Sequence, residues 1–136
     1  MIHLALEIVS PERLLFSKPV EMAVIPASEG ELAAMPQRAP MIVTLRGGTI
    51  KVYENGQITE RLYVAGGFAE ITPERCTVLA DEAIPVASLS RAEGERRLAE
   101  AEAEYNAADK MDVEALDAAM DRMQSARAMI EAAQPA

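Results

Sequence analysis

Residues 49–64 read TIKVYENGQITERLYV, and this stretch decides how the first part of the chain folds. Polar and apolar side chains alternate on both sides of Asn55-Gly56, as they do in strands with one buried face. Asn-Gly is the strongest short signal for a two-residue hairpin, because both turn positions need positive φ. The stretch therefore predicts an antiparallel β-hairpin.

Further short apolar runs surround this hairpin, and turn residues separate them. The runs are 3–9, 20–25, 41–45, 68–71 and 76–80. We interpret Gly47-Gly48 as a turn that ends a strand, and Gly66-Gly67 as a bulge or a close backbone approach. Short strands with turn signals at spacings of about 8–12 residues are typical of a β-sandwich or barrel. The pattern predicts such a domain over residues 1–87.

From Ser88 onward the composition shifts to Ala, Glu, Arg and Met, which favours helix. Ser90 and Glu93 fit a capping box, so a first helix is predicted to begin near Arg91. Asp112 fits the N-cap of a second helix that begins near Val113. Residues 88–136 are therefore predicted to form an antiparallel two-helix hairpin with an accessory or regulatory role.

The apolar seam of this hairpin is thin. The second helix offers Val113, Leu116, Met120, Met123 and Ile130, and the first offers only Leu98, Ala101, Tyr105 and Ala108. Gly94 is expected to weaken the first helix by about 1 kcal/mol relative to Ala. A hairpin with so few large buried side chains is expected to need packing against another surface for its stability, and to be able to detach from that surface.

The net charge of −9, from 22 acidic against 13 basic residues, argues against two classes of partner. Such a chain repels the phosphates of nucleic acids and the headgroups of anionic lipids. The opening residues lack the basic and apolar regions of a secretory signal, and no stretch approaches the roughly 18 apolar residues that span a bilayer. We expect a soluble cytoplasmic chain with no nucleic-acid partner and no direct membrane insertion.

The chain has few of the residue types that usually carry catalysis or bind metal ions. One histidine, His3, and one cysteine, Cys76, cannot form a nucleophilic triad or a clustered zinc site. Residues 47–51 lack the glycine spacing and the Lys-Ser/Thr pair of a phosphate-binding loop. Cys76 is expected to be a small buried apolar residue. The sequence therefore predicts a non-enzymatic protein without metal or cofactor.

Two segments resemble the epsilon subunit of F-type ATP synthases, which is called delta in mitochondria. The first is SEGEL at 28–32, followed by PQRAP at 36–40 and an apolar strand over 41–52. The second is YVAGGFAEI at 63–71, followed by CTVLADEA at 76–83. The opening residues 9–17 are also similar, so the likeness spans about residues 4–87. Gln37-Arg38 departs from the Gly-His often found in relatives.

The resemblance implies a ten-stranded β-sandwich with a C-terminal helical hairpin, acting as a non-catalytic subunit of the rotor. In this family the sandwich packs one sheet face on the gamma subunit and touches the membrane-embedded c-ring, which couples proton flow to ATP synthesis. Catalysis belongs to the alpha and beta subunits. By resemblance, the candidates for ring contact are Ser28, Glu29, Glu31 and Arg38. The implied location is the cytoplasmic face of the cell inner membrane, peripherally within the complex.

Some relatives bind ATP through an Ile/Leu-Asp-x-x-Arg-Ala motif at the start of the hairpin. Here Leu89 fits its first position, but Ser90, Glu93 and Gly94 replace Asp, Arg and Ala. Arg96 and Arg97 remain as candidates to pair with phosphate, against the simpler interpretation that they balance the acidic helical face.

Two further hypotheses stay open at the level of sequence. The hairpin of relatives can insert into the alpha/beta catalytic head, so here it can act as a brake on ATP hydrolysis. The alternative from another class is a free-standing β-sandwich binding module, although the chain has no Trp and no dense aromatic platform.

Overall fold

The computed structural model describes residues 2–133, which form eight β-strands followed by two α-helices. The strands are β1 (Leu4–Val9), β2 (Leu14–Val20), β3 (Met22–Ala27), β4 (Gly30–Ala34), β5 (Met41–Glu54), β6 (Gln57–Ile71), β7 (Arg75–Ala80) and β8 (Ala83–Pro85). A 3-10 turn, Val86–Ser88, leads into α1 (Arg91–Ala107) and α2 (Val113–Ala132). The β domain followed by a helical hairpin is confirmed, with eight strands in the described part of the chain where the resemblance implied ten.

The lower strand number comes from two long strands, β5 with 14 residues and β6 with 15. They pair along their whole length as one antiparallel ribbon, closed by the turn at Asn55 and Gly56 with φ of 54° and 74°. The predicted hairpin is therefore confirmed. Gly47-Gly48 lies inside β5, so its interpretation as a turn is wrong.

The glycine pairs mark the places where the ribbon changes face. In β6 the residues that join the core of the β domain are Leu62 and Val64 before Gly66-Gly67, and Ala69 and Ile71 after it, so the core-facing side passes from even to odd positions. Tyr63 is buried on the other side of the strand, against α2. A break in alternation resembles a strand end in the sequence, although hydrogen bonding continues through it. A Cβ on Gly67 would lie 2.2 Å from the Leu79 carbonyl oxygen, which confirms the predicted close backbone approach.

The ribbon joins two groups of strands around one core. The strand order is β2-β1-β7-β6-β5-β3-β4, while β8 pairs with the first half of β6. Side chains from both groups are fully buried together, for example Leu6 of β1, Val78 of β7, Ile25 of β3 and Ile50 of β5. The sheet therefore folds over itself and encloses its core.

The helix starts are confirmed by their caps. The Ser90 hydroxyl accepts a hydrogen bond from the Glu93 amide at 3.2 Å, and Asp112 accepts one from the Ala115 amide at 3.1 Å. Each cap satisfies an amide that has no partner within its helix. The Glu93 carboxylate, however, contacts Arg96 and Arg97, so it serves ion pairs along the helix.

The seam between the helices is built from smaller residues than the sequence indicated. The buried residues are Gly94 and Ala101 of α1 and Ala119, Ala126 and Met129 of α2. Val113 and Met120 were predicted to lie in the seam, but they are 62% and 52% exposed. A Cβ on Gly94 would lie 2.8 Å from Cγ1 of Ile130, so glycine here lets the two helices approach closely. Gly94 was predicted only to lower the stability of the first helix, and its role in the packing of the two helices was missed.

Candidate interaction surfaces

The hairpin docks on the β domain through directional hydrogen bonds from α2. Nε2 of Gln124 donates to the Gly47 carbonyl at 2.7 Å, and the Gly47 amide donates to Oε1 of Gln124 at 3.0 Å. The Tyr63 hydroxyl donates to the Ser125 carbonyl at 2.9 Å. The predicted support for the thin hairpin is thus the ribbon of β5 and β6.

Glycine at position 47 is required by this contact. A Cβ there would lie 2.5 Å from Cα of Ser125, a distance that forces the helix away from the strand. Tyr63 is fully buried, and its burial is the main reason why its pKa is raised to about 12. Sequence reasoning missed both residues, although a glycine pair inside an alternating strand is a known sign of close backbone approach.

An ion pair fixes the first helix to the β domain. Arg97 donates to both carboxylate oxygens of Glu82, at 2.6 and 2.9 Å, and to Glu93 at 2.8 Å. Glu82 lies between β7 and β8, so this bidentate contact bridges the two halves of the molecule. Hydrogen bonds from Arg96 and Arg97 lower the pKa of Glu93 to about 2.

The candidate nucleotide residues therefore have internal partners. Arg96 contacts the carboxylates of Glu93 and Glu100, and Arg97 those of Glu82 and Glu93. Leu89 is half-buried and directly precedes the Ser90 cap. A phosphate group would have to compete with carboxylates for both guanidinium groups.

Three of the four candidates for ring contact lie together. Ser28 and Glu29 form the turn before β4, and the Ser28 hydroxyl donates to the Thr44 carbonyl at 3.1 Å. Glu31 is exposed at the start of β4 and pairs with Lys51 at 3.5 Å. Arg38 is also exposed but follows the opposite end of β4. The structure thus separates Arg38 from the acidic turn by the length of that strand.

A row of apolar side chains, exposed except for the half-buried Val9, crosses the outer face of the β domain. Phe68 of β6 lies opposite Leu79 of β7, Leu79 lies beside Val9 of β1, and Val9 lies opposite Leu14 of β2. Phe68, Leu79 and Leu14 are 45%, 39% and 55% exposed. Ile42 of β5 is 70% exposed and lies diagonally from Phe68, whose direct partner on β5 is Thr44. We call these five residues the apolar row; contiguous exposed apolar surface of this kind marks an interaction site.

The reactive residue types have ordinary structural roles. Cys76 is fully buried in the core, as expected, and burial raises the pKa of its thiol to about 12. His3 is exposed just before β1. Within residues 2–133, no group of three or more His, Cys, Asp or Glu side chains has an arrangement that holds a metal ion. The helices of this same range include none long and apolar enough to cross a membrane.

A folded-over antiparallel sheet followed by a docked helical hairpin defines the class of this protein as a β-sandwich with a C-terminal two-helix hairpin. A chain in the cryo-EM structure of the Euglena gracilis mitochondrial ATP synthase (OSCP/F1/c-ring) has this fold. It superimposes with a TM-score of 0.79 at 18% identity, covering 98% of this chain and 83% of that one.

The family model for the β-sandwich domain of the ATP synthase delta/epsilon chain matches residues 3–86, and the chain belongs to this family. It is 66% identical over 133 residues to the ATP synthase epsilon chain of Granulibacter bethesdensis, with 98% of each chain covered. The epsilon chain of Gluconacetobacter diazotrophicus is 53% identical over 133 residues, 98% of this chain and 94% of that one. The resemblance is confirmed, and the chain is an epsilon-type, non-catalytic subunit of the ATP synthase.

Proposed function

We propose that this subunit links the gamma subunit to the c-ring, on the cytoplasmic face of the membrane, and so helps to couple proton translocation to ATP synthesis. The apolar row carries the proposal, because a folded chain that keeps Ile42, Phe68 and Leu79 exposed on one sheet face needs a protein surface to cover them. We assign this face to gamma. The free-standing binding module is set aside, because the chain belongs to the epsilon family over residues 3–86.

The assignment to gamma is tested with an ATPase head that contains gamma but has lost this subunit. The variant I42E/F68E places two charges in the apolar row, and V113E/M120E places two charges on exposed apolar residues of the hairpin. Native mass spectrometry should show stoichiometric binding of the wild type and of V113E/M120E, and loss of binding for I42E/F68E. Equal binding of both variants would reject the apolar row as the gamma contact.

We assign the acidic turn of Ser28, Glu29 and Glu31 to the polar loops of the c-ring. Arg38 belongs to the same proposal as a separate contact, because β4 lies between it and the turn. In the reconstituted synthase, E29K/E31K should weaken the coupling of proton flow to synthesis and leave hydrolysis by the isolated head unchanged. R38E tests the second contact independently. Normal coupling in both variants would contradict the assignment.

The helical hairpin is the proposed regulatory element, able to brake ATP hydrolysis after it leaves the sheet. Its support is the way it docks: a few hydrogen bonds and one ion pair hold a seam of small residues. Deleting residues 88–136 should leave assembly intact and raise the hydrolysis rate of the complex. Hydrolysis that stays the same after the deletion would reject the brake, and loss of assembly would reject the division of roles between the halves.

A further inference from the structure

A groove of about 710 Å³ lies where the last two turns of α2 cross the ribbon of β5 and β6. Its cationic lining consists of Arg46, Lys51, Arg61 and Arg127, and its acidic lining of Glu31 and Glu131. Four cations against two acids make it a basic region on a chain whose net charge is −9. We call it the basic groove.

The arginines of the basic groove differ from those on the hairpin's other faces. Arg91, Arg96, Arg97 and Arg122 each pair with a carboxylate. Arg46, Arg61 and Arg127 are exposed, and their side chains make no ion pair or hydrogen bond with any residue between 2 and 133. In an acidic chain, three arginines left without carboxylates around one groove form a site that attracts external negative charge.

The shape and surroundings of the groove select the kind of anion. Part of its lining, called here the floor, consists of small and partly apolar residues, among them Gly47, Gly48 and Ala128. A compact polyphosphate would bring its charge close to Glu31, to Glu131 and to the carbonyl end of α2, whose dipole repels anions. A peptide can space single carboxylates to reach the arginines while its apolar side chains cover the floor.

We propose that the basic groove binds an acidic polypeptide segment of another subunit in the assembled synthase. This inference rests on the proposed function, since it needs a subunit that assembles with partners. One wall of the groove belongs to the β domain through Arg46 and Arg61, and the other to the hairpin through Arg127. A segment bound across both walls binds only the docked hairpin, so it stabilises that state by mass action.

The test uses the full chain and a purified synthase from which this subunit has been removed. The groove variant is R46E/R61E. The matched control is R91E/K110E, which makes the same change in net charge on exposed residues of the hairpin, away from the groove. Circular dichroism first confirms that both variants fold. We expect the groove variant to bind about tenfold more weakly at low salt, with a difference that shrinks at high salt, and the control to bind like the wild type.

A photo-crosslinker at Thr49, which lines the groove, identifies the occupant in the assembled complex. Adducts on a segment with several Asp or Glu residues support the proposal. Equal affinities of the groove variant and the control overturn the proposal. It is also overturned if no acidic segment is labelled and pyrophosphate abolishes the adducts that do form, because that result assigns the groove to phosphate. If the wild-type chain itself does not bind, the proposed function fails, which is a separate result.

Discussion

The β domain and the helical hairpin hold together in different ways. The β domain buries branched and long side chains completely, among them Leu4, Leu6, Ile8 and Ile25. The hairpin buries chiefly alanine, with Met129 as its one large side chain that is fully enclosed in the described part of the chain. Since apolar burial stabilises by about 25 cal/mol per Å² of area, most of the stability lies in the β domain.

The comparison teaches that the two halves suit different tasks. A domain with its own core keeps its surfaces fixed, which suits a permanent contact such as the apolar row. A hairpin with a small core gains its position from Gln124, Tyr63 and Arg97, whose bonds can be exchanged for others at low cost. The predictions below test this contrast.

The largest expected effect comes from the core of the β domain. Leu6→Ala removes a side chain with no exposed surface and should lower the free energy of unfolding by about 2–5 kcal/mol. Leu14→Ala, on the neighbouring strand, is the matched control, because Leu14 is 55% exposed, and it should cost below about 1 kcal/mol. Urea denaturation of both variants measures the difference. Similar costs would contradict the assigned core.

Gly94→Ala tests whether the hairpin depends on close approach of its helices. Helix propensity alone predicts a gain of about 1 kcal/mol. The new Cβ, however, meets Cγ1 of Ile130 at 2.8 Å and its backbone nitrogen at 3.2 Å, and such overpacking costs about 1–3 kcal/mol.

We therefore expect faster amide hydrogen exchange in α1 and α2 of the Gly94→Ala variant, with β1 and β7 unchanged. Ala103→Gly, at an exposed position of α1, calibrates the propensity term. Slower exchange in the Gly94→Ala hairpin would show that propensity outweighs packing.

Gln124→Met tests the hydrogen-bonded dock with a side chain of similar length. It leaves the buried amide and carbonyl of Gly47 without their partner, which should weaken docking by about 1–3 kcal/mol. Gln57→Met, at an exposed position in β6, is the control. Hydrogen exchange at Gly47 and along α2 should rise only in Gln124→Met. Unchanged protection of Gly47 would show that apolar contact alone holds the helix.

The smallest effect appears only at alkaline pH. Because the folded pKa of Tyr63 is raised from 10.0 to about 12, the neutral hydroxyl is favoured in the docked state. Its contribution is present below pH 10 and is lost as the pH rises toward 12. Absorbance at the tyrosinate band should show a late-titrating component that is absent in Tyr63→Phe. The same late part of the titration curve in the wild type and in Tyr63→Phe would contradict the buried position.

Local patterns predicted much of the fold. Alternation around Asn55-Gly56 predicted the hairpin, and the Ser90 and Asp112 caps predicted where the helices begin, because these signals act within a few residues. The acidic turn of Ser28 to Glu31 was found only through the resemblance to a family. The seam of the hairpin was predicted poorly, since two helices and a sheet compete to bury the same faces.

The sequence by itself determined the local structure of this protein: strands over about the first 85 residues, two capped helices after them, and a core of branched residues in the β domain. The tertiary structure alone decided that Gly47 lies under α2, that Gln124 bonds to its backbone, and that Arg46, Arg61 and Arg127 meet at one groove. The physical reason is distance along the chain. Gly47 and Gln124 are separated by 77 positions, and no local periodicity connects residues that only packing brings together.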